Sequence, residues 1–152
     1  MQIIDLKEAN IETMINLYNL YCKEIRIPVN KEIAQNYFNR VNAKIKEGFP
    51  LYFKIVKKEE KEIGFIFFNT NFKYKKLDDA FILELFVQEE YRYQGIGKQL
   101  LRLAEELSKD AGSTTVYLTT DENIASFYKK CGYLPTGDID MDNELEIYYK
   151  DI

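Results

Sequence analysis

No histidine occurs anywhere in the 152 residues. The commonest general base is therefore missing, and with it the Ser-His and Cys-His nucleophile pairs and most zinc sites. Chemistry must come from carboxylates, tyrosines, lysines, backbone amides or a cofactor. Cysteine is scarce too: Cys22 and Cys131 offer neither a disulfide framework nor metal-ligand spacing, and no metal site is expected. No apolar run approaches the roughly 18 residues needed to span a bilayer. The opening "MQIIDLKEAN" lacks the charged start and long apolar stretch of a signal peptide. A cytoplasmic location with no membrane partner is the expectation. Positive charge is in deficit, 21 Lys and Arg against 25 Asp and Glu, a net charge of -4. That balance argues weakly against a nucleic-acid partner. It suits a cationic substrate, and equally serves solubility alone.

What is present is a globular composition, 46% hydrophobic and 14% aromatic, of a length suited to one domain over residues 1–152. Residues 2–7 read as a first strand. From Ile11 the positions Met14, Ile15, Tyr18, Tyr21, Cys22 and Ile25 recur at helical spacing. After Pro28 a second helix carries Ile33, Tyr37, Phe38, Val41 and Ile45 on one stripe, and Gly48 and Pro50 stop it. "LYFKIVKKEEKEIGFIFFN" reads as a hairpin with a charged tip. "TNFKYKKLDD" reads as a polar connection. "AFILELFV", residues 80–87, is apolar at nearly every position, which predicts a strand covered on both faces.

Beyond it, Ile96, Leu100, Leu103, Ala104, Leu107 and Ala111 fall on one helical face, with Lys98, Gln99, Arg102, Glu105, Glu106 and Lys109 outside. Gly112 ends that helix, "TTVYLTT" is a strand, a short helix spans about 123–131, and "NELEIYYKD" alternates as a final strand. Strand, helix, strand over residues 80–120 implies a parallel pair. The whole is a mixed α/β domain.

The segment "YRYQGIGKQLL", residues 91–101, places two of only seven glycines at the start of a helix. A phosphate-binding Walker A loop fails, because Arg92 stands where its first glycine belongs and Gln99 follows Lys98. A dinucleotide fingerprint fails at Leu100, where a third glycine is required. A simpler cradle remains. Amides from about Gln94 to Lys98 point out of the helix start, where the dipole favours an anion. Gly95 and Gly97 let a pyrophosphate approach, and Arg92 and Lys98 add positive charge. An ordinary glycine-containing turn explains the loop alone equally well.

"LELFVQEEYRYQGIGKQLL" followed by "NIASFYKKCGY" resembles the GNAT superfamily of acetyl-coenzyme A-dependent N-acetyltransferases. The first stretch matches that family's Arg/Gln-x-x-Gly-x-Gly/Ala motif at Arg92, Gly95 and Gly97. The second matches its Phe-Tyr-x-x-x-Gly-Phe/Tyr helix end at Phe127, Tyr128, Gly132 and Tyr133. The resemblance implies a GNAT-like fold: a central mixed, mostly antiparallel sheet of six to seven strands with about four helices on both faces. It implies acetyl-CoA as cosubstrate, held by Phe86, Val87, Arg92, Tyr93, Gln94, Gly95, Ile96, Gly97, Lys98 and Tyr128. The family carries an asparagine seven residues before the tyrosine; here that place holds Asp121, with Asn123 two residues on. Either contacts the cofactor, or both cap the helix.

In the mechanism so implied, an amine attacks the thioester carbonyl. The backbone amide at Phe86 or Val87 stabilises the oxyanion, and Tyr128 protonates the departing thiolate, a phenol near pKa ~10 being close enough to a thiol near ~8.5. Glu84, the only charged residue inside the apolar strand, binds the ammonium and relays its proton. Leu85 and Val87 offer core side chains, and Glu89 and Glu90 read as solvated. Cys131, with no histidine to lower its pKa, reads as a small buried residue, so direct transfer in a ternary complex is favoured over an acetyl-enzyme.

The acceptor is expected to be a small-molecule amine, with a polyamine suggested by a loose resemblance of residues 64–87 to diamine and polyamine acetyltransferases. Carboxylates at Glu24, Asp78, Asp79, Glu84, Asp138, Asp140 and Asp142 suit a polycation, or form a solvated surface. An aminoglycoside, an amino-acid derivative and a protein N-terminus or lysine are alternatives. Rivals from other classes are a non-catalytic coenzyme A sensor and an unrelated nucleotide-binding domain. Homodimers are common in the resembled family.

Overall fold

The computed structural model describes residues 1–74 and 77–152. In chain order these form β1 (Gln2–Asp5), α1 (Ile11–Glu24), α2 (Lys31–Lys46), β2 (Leu51–Lys58), β3 (Lys61–Tyr74), β4 (Leu77–Val87), α3 (Ile96–Asp110), β5 (Thr115–Thr120), α4 (Glu122–Lys130), β6 (Leu134–Ile139) and β7 (Glu146–Asp151). Seven strands make one sheet in the order β1-β2-β3-β4-β5-β7-β6. β4 and β5 run parallel, whereas β1–β2, β5–β7 and β6–β7 are antiparallel. The described residues divide into two compact units, Met1–Phe67 with Glu84–Leu101, and Phe68–Leu83 with Arg102–Ile152.

In the first unit, each long helix starts on an asparagine. The Asn10 side chain accepts from the Glu12 and Thr13 amides, and Asn30 accepts from Ile33. The start of α1 is also fastened to β3: buried Glu62 accepts from the Asn10 amide at 3.2 Å and from the Thr13 hydroxyl. β1 ends at Asp5 and not at residue 7, because a 3-10 turn over Leu6–Glu8 closes on a reciprocal Asp5–Glu8 capping box. The β2–β3 hairpin turns through Glu59 and Glu60, both at positive φ, 50° and 63°. Two such residues make the tight turn whose twist matches the flanking strands. Ile4, Leu6, Met14, Phe38, Phe53, Phe65, Phe67 and Phe86 form the core, with Tyr18, Tyr21 and Tyr37 packed against it. Ile33, expected on the buried stripe of α2, is exposed.

In the second unit, β5 is almost wholly buried and pairs along its length with β7, from Thr115↔Asp151 to Thr120↔Glu146. Its parallel partners on β4 are Ala80↔Val116 and Phe81↔Tyr117. Fully buried Asp79 accepts from the Thr114 and Thr115 amides at 3.1 and 3.0 Å and from the Thr114 hydroxyl at 3.2 Å, fastening the entry to β5. Glu105, expected on the outer face of its helix, is buried because it pairs with Lys150 at 2.6 Å. Ala111 lies past the end of α3 and is exposed.

Three further expectations need correction. The polar connection at "TNFKYKKLDD" is largely strand, with β3 continuing to Tyr74 and β4 beginning at Leu77; residues 75 and 76 lie outside the described residues. The side chain of Asp78, one of the carboxylates weighed for a polycation, also lies outside them. β4 is not covered on both faces throughout: Leu83 is 44% exposed, and Glu84, Leu85 and Val87 are half-buried. β6 is an additional strand, mostly exposed at the sheet edge, with a register irregularity between Pro135 and Ile139.

Candidate active site

Two groups of predicted residues come together in the first unit. The first is the β4–α3 connection. After Val87 the chain makes a 3-10 turn over Glu89–Tyr91, leaving Glu89 and Glu90 exposed, and α3 begins at Ile96. Tyr93 and Gly95 both take positive φ, 63° and 81°. A Cβ built on Gly95 would meet nothing within 4 Å, so the glycine serves conformation and leaves the helix start open. The first backbone bond here runs from the Gln99 amide to the Gly95 carbonyl at 3.0 Å. The amides of Ile96, Gly97 and Lys98 stand ahead of it as the donors of the first helical turn. The first turns of α1, α2 and α4 carry Glu12, Glu32 and Glu122, but that of α3 carries no acidic residue. The positive end of the α3 dipole is therefore unneutralised by its own sequence.

Arg92 is held from three sides. Its Nε donates to the Val87 carbonyl at 2.8 Å, its Nη2 pairs with Glu24 at 2.6 Å, and its guanidinium lies 5.4 Å over the Phe86 ring. Glu24, grouped above among carboxylates for a polycation, thus has an arginine partner. Gly64 on β3 lies against the end of β4, where a Cβ would come 2.9 Å from the Phe86 carbonyl oxygen. The Gln88 amide bonds back to Ile63 at 2.8 Å. Phe86 and Val87, where the oxyanion amide is expected, are thereby seated closely on β3. Nothing in the "GFIFF" stretch distinguishes Gly64 beforehand as a close-approach position.

The second group surrounds Glu84. The Tyr37 hydroxyl donates to Glu84 Oε1. The Tyr21 and Tyr18 hydroxyls lie near enough to favour the charged carboxylate as well. Tyr18 stacks on Tyr37 with centroids 5.0 Å apart, and Tyr21 meets Phe86 edge-on at 5.6 Å. Burial pushes the Glu84 carboxyl above its ordinary value, and the three phenols pull the other way. The same burial, with Glu84 nearby, pushes Tyr18, Tyr21 and Tyr37 far above 10, so they remain protonated donors. Sequence periodicity gave these tyrosines only a packing role. The available signal was the choice of tyrosine over phenylalanine at three positions of two apolar stripes.

The second unit holds Tyr128. It is buried on α4, with Phe127 at 5.1 Å and Tyr133 at 6.1 Å between ring centroids. Burial above all, then Cys131 and Asp121, raise its pKa well beyond 10. Asp121 is the N-cap of α4, accepting from the Asn123 amide at 2.8 Å and from Ile124 at 3.2 Å. Asn123 is exposed in the first turn, and Cys131 is half-buried at the helix end. Asp140 likewise caps a local turn through the Asp142 amide at 2.8 Å. Among the described residues, no helix is long and apolar enough to cross a membrane, and no cluster of three or more ligating side chains is placed to hold a metal.

Residues 14–133 match the model of the acetyltransferase (GNAT) family. The chain belongs to that family. No curated protein matches it. Among solved structures, the GNAT chain is similar to the PaiA N-acetyltransferase of Thermoplasma acidophilum in complex with coenzyme A, at 22% identity and a TM-score of 0.68, with 100% of both chains covered. An aminoglycoside 6'-N-acetyltransferase complexed with coenzyme A matches at 18% identity and a TM-score of 0.73, over 99% of this chain and 97% of that one. The ribosomal-protein-alanine N-acetyltransferase of Brucella melitensis matches at 16% identity and a TM-score of 0.75, with full coverage of both. The mixed, mostly antiparallel sheet with four helices is thus a GNAT fold, and the enzyme is an acetyltransferase.

Proposed function

We propose that this enzyme transfers the acetyl group of acetyl-CoA to a primary amine of a small molecule, by direct attack in a ternary complex. The observation that carries the acceptor class is Glu84, a half-buried carboxylate ringed by tyrosines. A carboxylate with no basic partner attracts an ammonium group through charge and a charge-assisted hydrogen bond. The acidic balance of the chain agrees with a cationic acceptor, and a polyamine or similar amine fits both.

The start of α3 suits the pyrophosphate of the cosubstrate. It offers first-turn amides, an open glycine and no carboxylate, with Lys98 in the first turn. Gly97, Ile96, Gln94 and Tyr93 line that start, and Arg92 is assigned to the same site, its charge there reduced by the Glu24 pair. Asp121 or Asn123 faces the cofactor, Asp121 being also the cap of α4. Glu84 takes a proton from the ammonium, directly or through water. The freed amine attacks the thioester carbon, and the oxyanion is stabilised by the amide of Phe86 or Val87. The carbon–sulfur bond then breaks, Tyr128 gives its proton to the thiolate, and the second proton shed by the acylated nitrogen restores the phenol, directly or through water. Burial keeps Tyr128 protonated but also widens its gap in acidity from the thiol, so its donation rests on position and not on matched acidity.

The test is thiol release from acetyl-CoA against a panel of amines, with Tyr128→Phe alongside. Turnover with a small amine, reduced on the order of 100-fold in the variant, supports the reading. Turnover confined to peptide amines overturns the acceptor class. Failure to bind coenzyme A by calorimetry overturns the reading as a whole.

A further inference from the structure

We propose that Tyr37, assisted by Tyr21 and Tyr18, is a positioning residue for Glu84, holding its carboxylate in place to receive the acceptor's proton. The inference rests on the proton-relay role proposed for Glu84 and deepens it. It begins from an anomaly of packing. Tyr18, Tyr21 and Tyr37 belong to the aromatic layer that includes Phe38, Phe53, Phe65, Phe67 and Phe86. Tyr37 contacts Phe67 edge-on at 6.4 Å, and Tyr21 contacts Phe65 edge-on at 5.3 Å. Phenylalanine would fill that layer as well. A tyrosine in such surroundings is stabilised only if its hydroxyl finds a partner. Here the Tyr37 hydroxyl of α2 donates to the carboxylate of β4, and the Tyr18 and Tyr21 hydroxyls of α1 lie near enough to favour its charged form.

The carboxylate has matching needs. Among the described residues no lysine or arginine pairs with Glu84. The titratable groups that face it are Tyr18, Tyr21 and Cys22 from α1 and Tyr37 from α2. None of them brings a positive charge, so neutral donors alone offset the cost of burying the anion. Burial by itself pushes the group toward the protonated form, in which it cannot accept a proton. The phenols act against that. A carboxylate has about four acceptor positions, and three phenols leave room for an incoming N–H. The stacked Tyr18–Tyr37 rings fix the Tyr37 hydroxyl, so the carboxylate keeps its place before the acceptor arrives.

The experiment follows the Glu84 side-chain carbon by NMR titration in the free enzyme, assigned with Glu84→Gln, and compares wild type with Tyr37→Phe and Tyr21→Phe. The phenylalanine variants keep the rings and remove only the hydroxyls. The expected result is a Glu84 midpoint displaced upward by about one pH unit or more in Tyr37→Phe, the equivalent of one hydrogen bond to a charged group. Tyr21→Phe should give a smaller displacement of the same sign. The acid limb of kcat/KM against pH should move with it, while kcat/KM on the alkaline side recovers. An unmoved midpoint in a folded Tyr37→Phe protein overturns the proposal, whatever its activity. So does a uniform loss of activity at every pH. A displaced midpoint alongside a fully active Glu84→Gln would leave the hydroxyl–carboxylate coupling standing but overturn the relay role on which its function rests.

Discussion

The Phe86 carbonyl oxygen sits so close over Gly64 that a Cβ there would lie 2.9 Å away. The contact is with backbone, which cannot swing aside as a side chain would. Gly64→Ala must therefore push β3 and the end of β4 apart, at the residues expected to present the oxyanion amide. The expected outcome is a destabilisation of about 1–3 kcal/mol and a fall in kcat that exceeds any change in KM. Urea unfolding and steady-state kinetics measure the two effects separately.

Glu84 should oppose stability while serving activity. Its folded-state pKa is raised, mainly by burial. A group of that kind contributes most below its unfolded pKa, about 4.3, and its contribution is lost as pH rises through the folded value. At neutral pH the ionised carboxylate is thus a net cost. Glu84→Gln should consequently melt at the same temperature as wild type or higher at pH 7, with that advantage fading toward pH 4, while turnover falls. A melting temperature well below wild type at pH 7 would show that the carboxylate is structural.

The hairpin turn at Glu59 and Glu60 places two non-glycine residues at positive φ. Each pays roughly 1 kcal/mol for that conformation. An ion pair across the turn, Lys57 with Glu60 at 3.4 Å, has an exposed Glu60 and offsets little of it. Replacing the pair by Asn-Gly should raise stability by about 1 kcal/mol without altering kinetics, as read from thermal melts and thiol release.

Asp79 provides the contrasting case of a structural carboxylate. It lies buried with three hydrogen bonds to Thr114 and Thr115. Asp79→Ala leaves those donors unsatisfied and should cost about 2–4 kcal/mol in urea unfolding. Selectivity among amines should not change, since the Asp79 side chain is fully buried with its Oδ1 bonded at the entry of β5.

The contrast shows what a sequence can and cannot reveal. α3 was legible because its apolar stripe repeats cleanly and Gly112 marks its end, and α4 because "NIASFYKKCGY" matches a family motif. The hairpin was legible from two apolar runs around a charged tip. β6 was hidden because Pro135 and Gly137 break its alternation and most of its side chains face solvent. Glu105 was misplaced because helical periodicity knows nothing of Lys150, which lies 45 residues away in sequence and supplies its partner. In the candidate site, motif spacing marked Tyr128 and the α3 start, and Glu84 stood out as a charge within an apolar strand. The tyrosines around Glu84 did not, because periodicity reports which face of a helix is covered and not where a hydroxyl ends.

The edge strand β6 has a consequence for association between molecules. β6 is the last strand in the sheet order and exposes Leu134 and Ile139, so it would ordinarily be a template onto which a strand of another molecule could zip. Pro135 supplies no amide hydrogen, Gly137 turns at a φ of 87°, and the register slips before Ile139. The edge therefore offers no continuous ladder, and the irregularity that hid β6 in the sequence is also a guard against fibril growth.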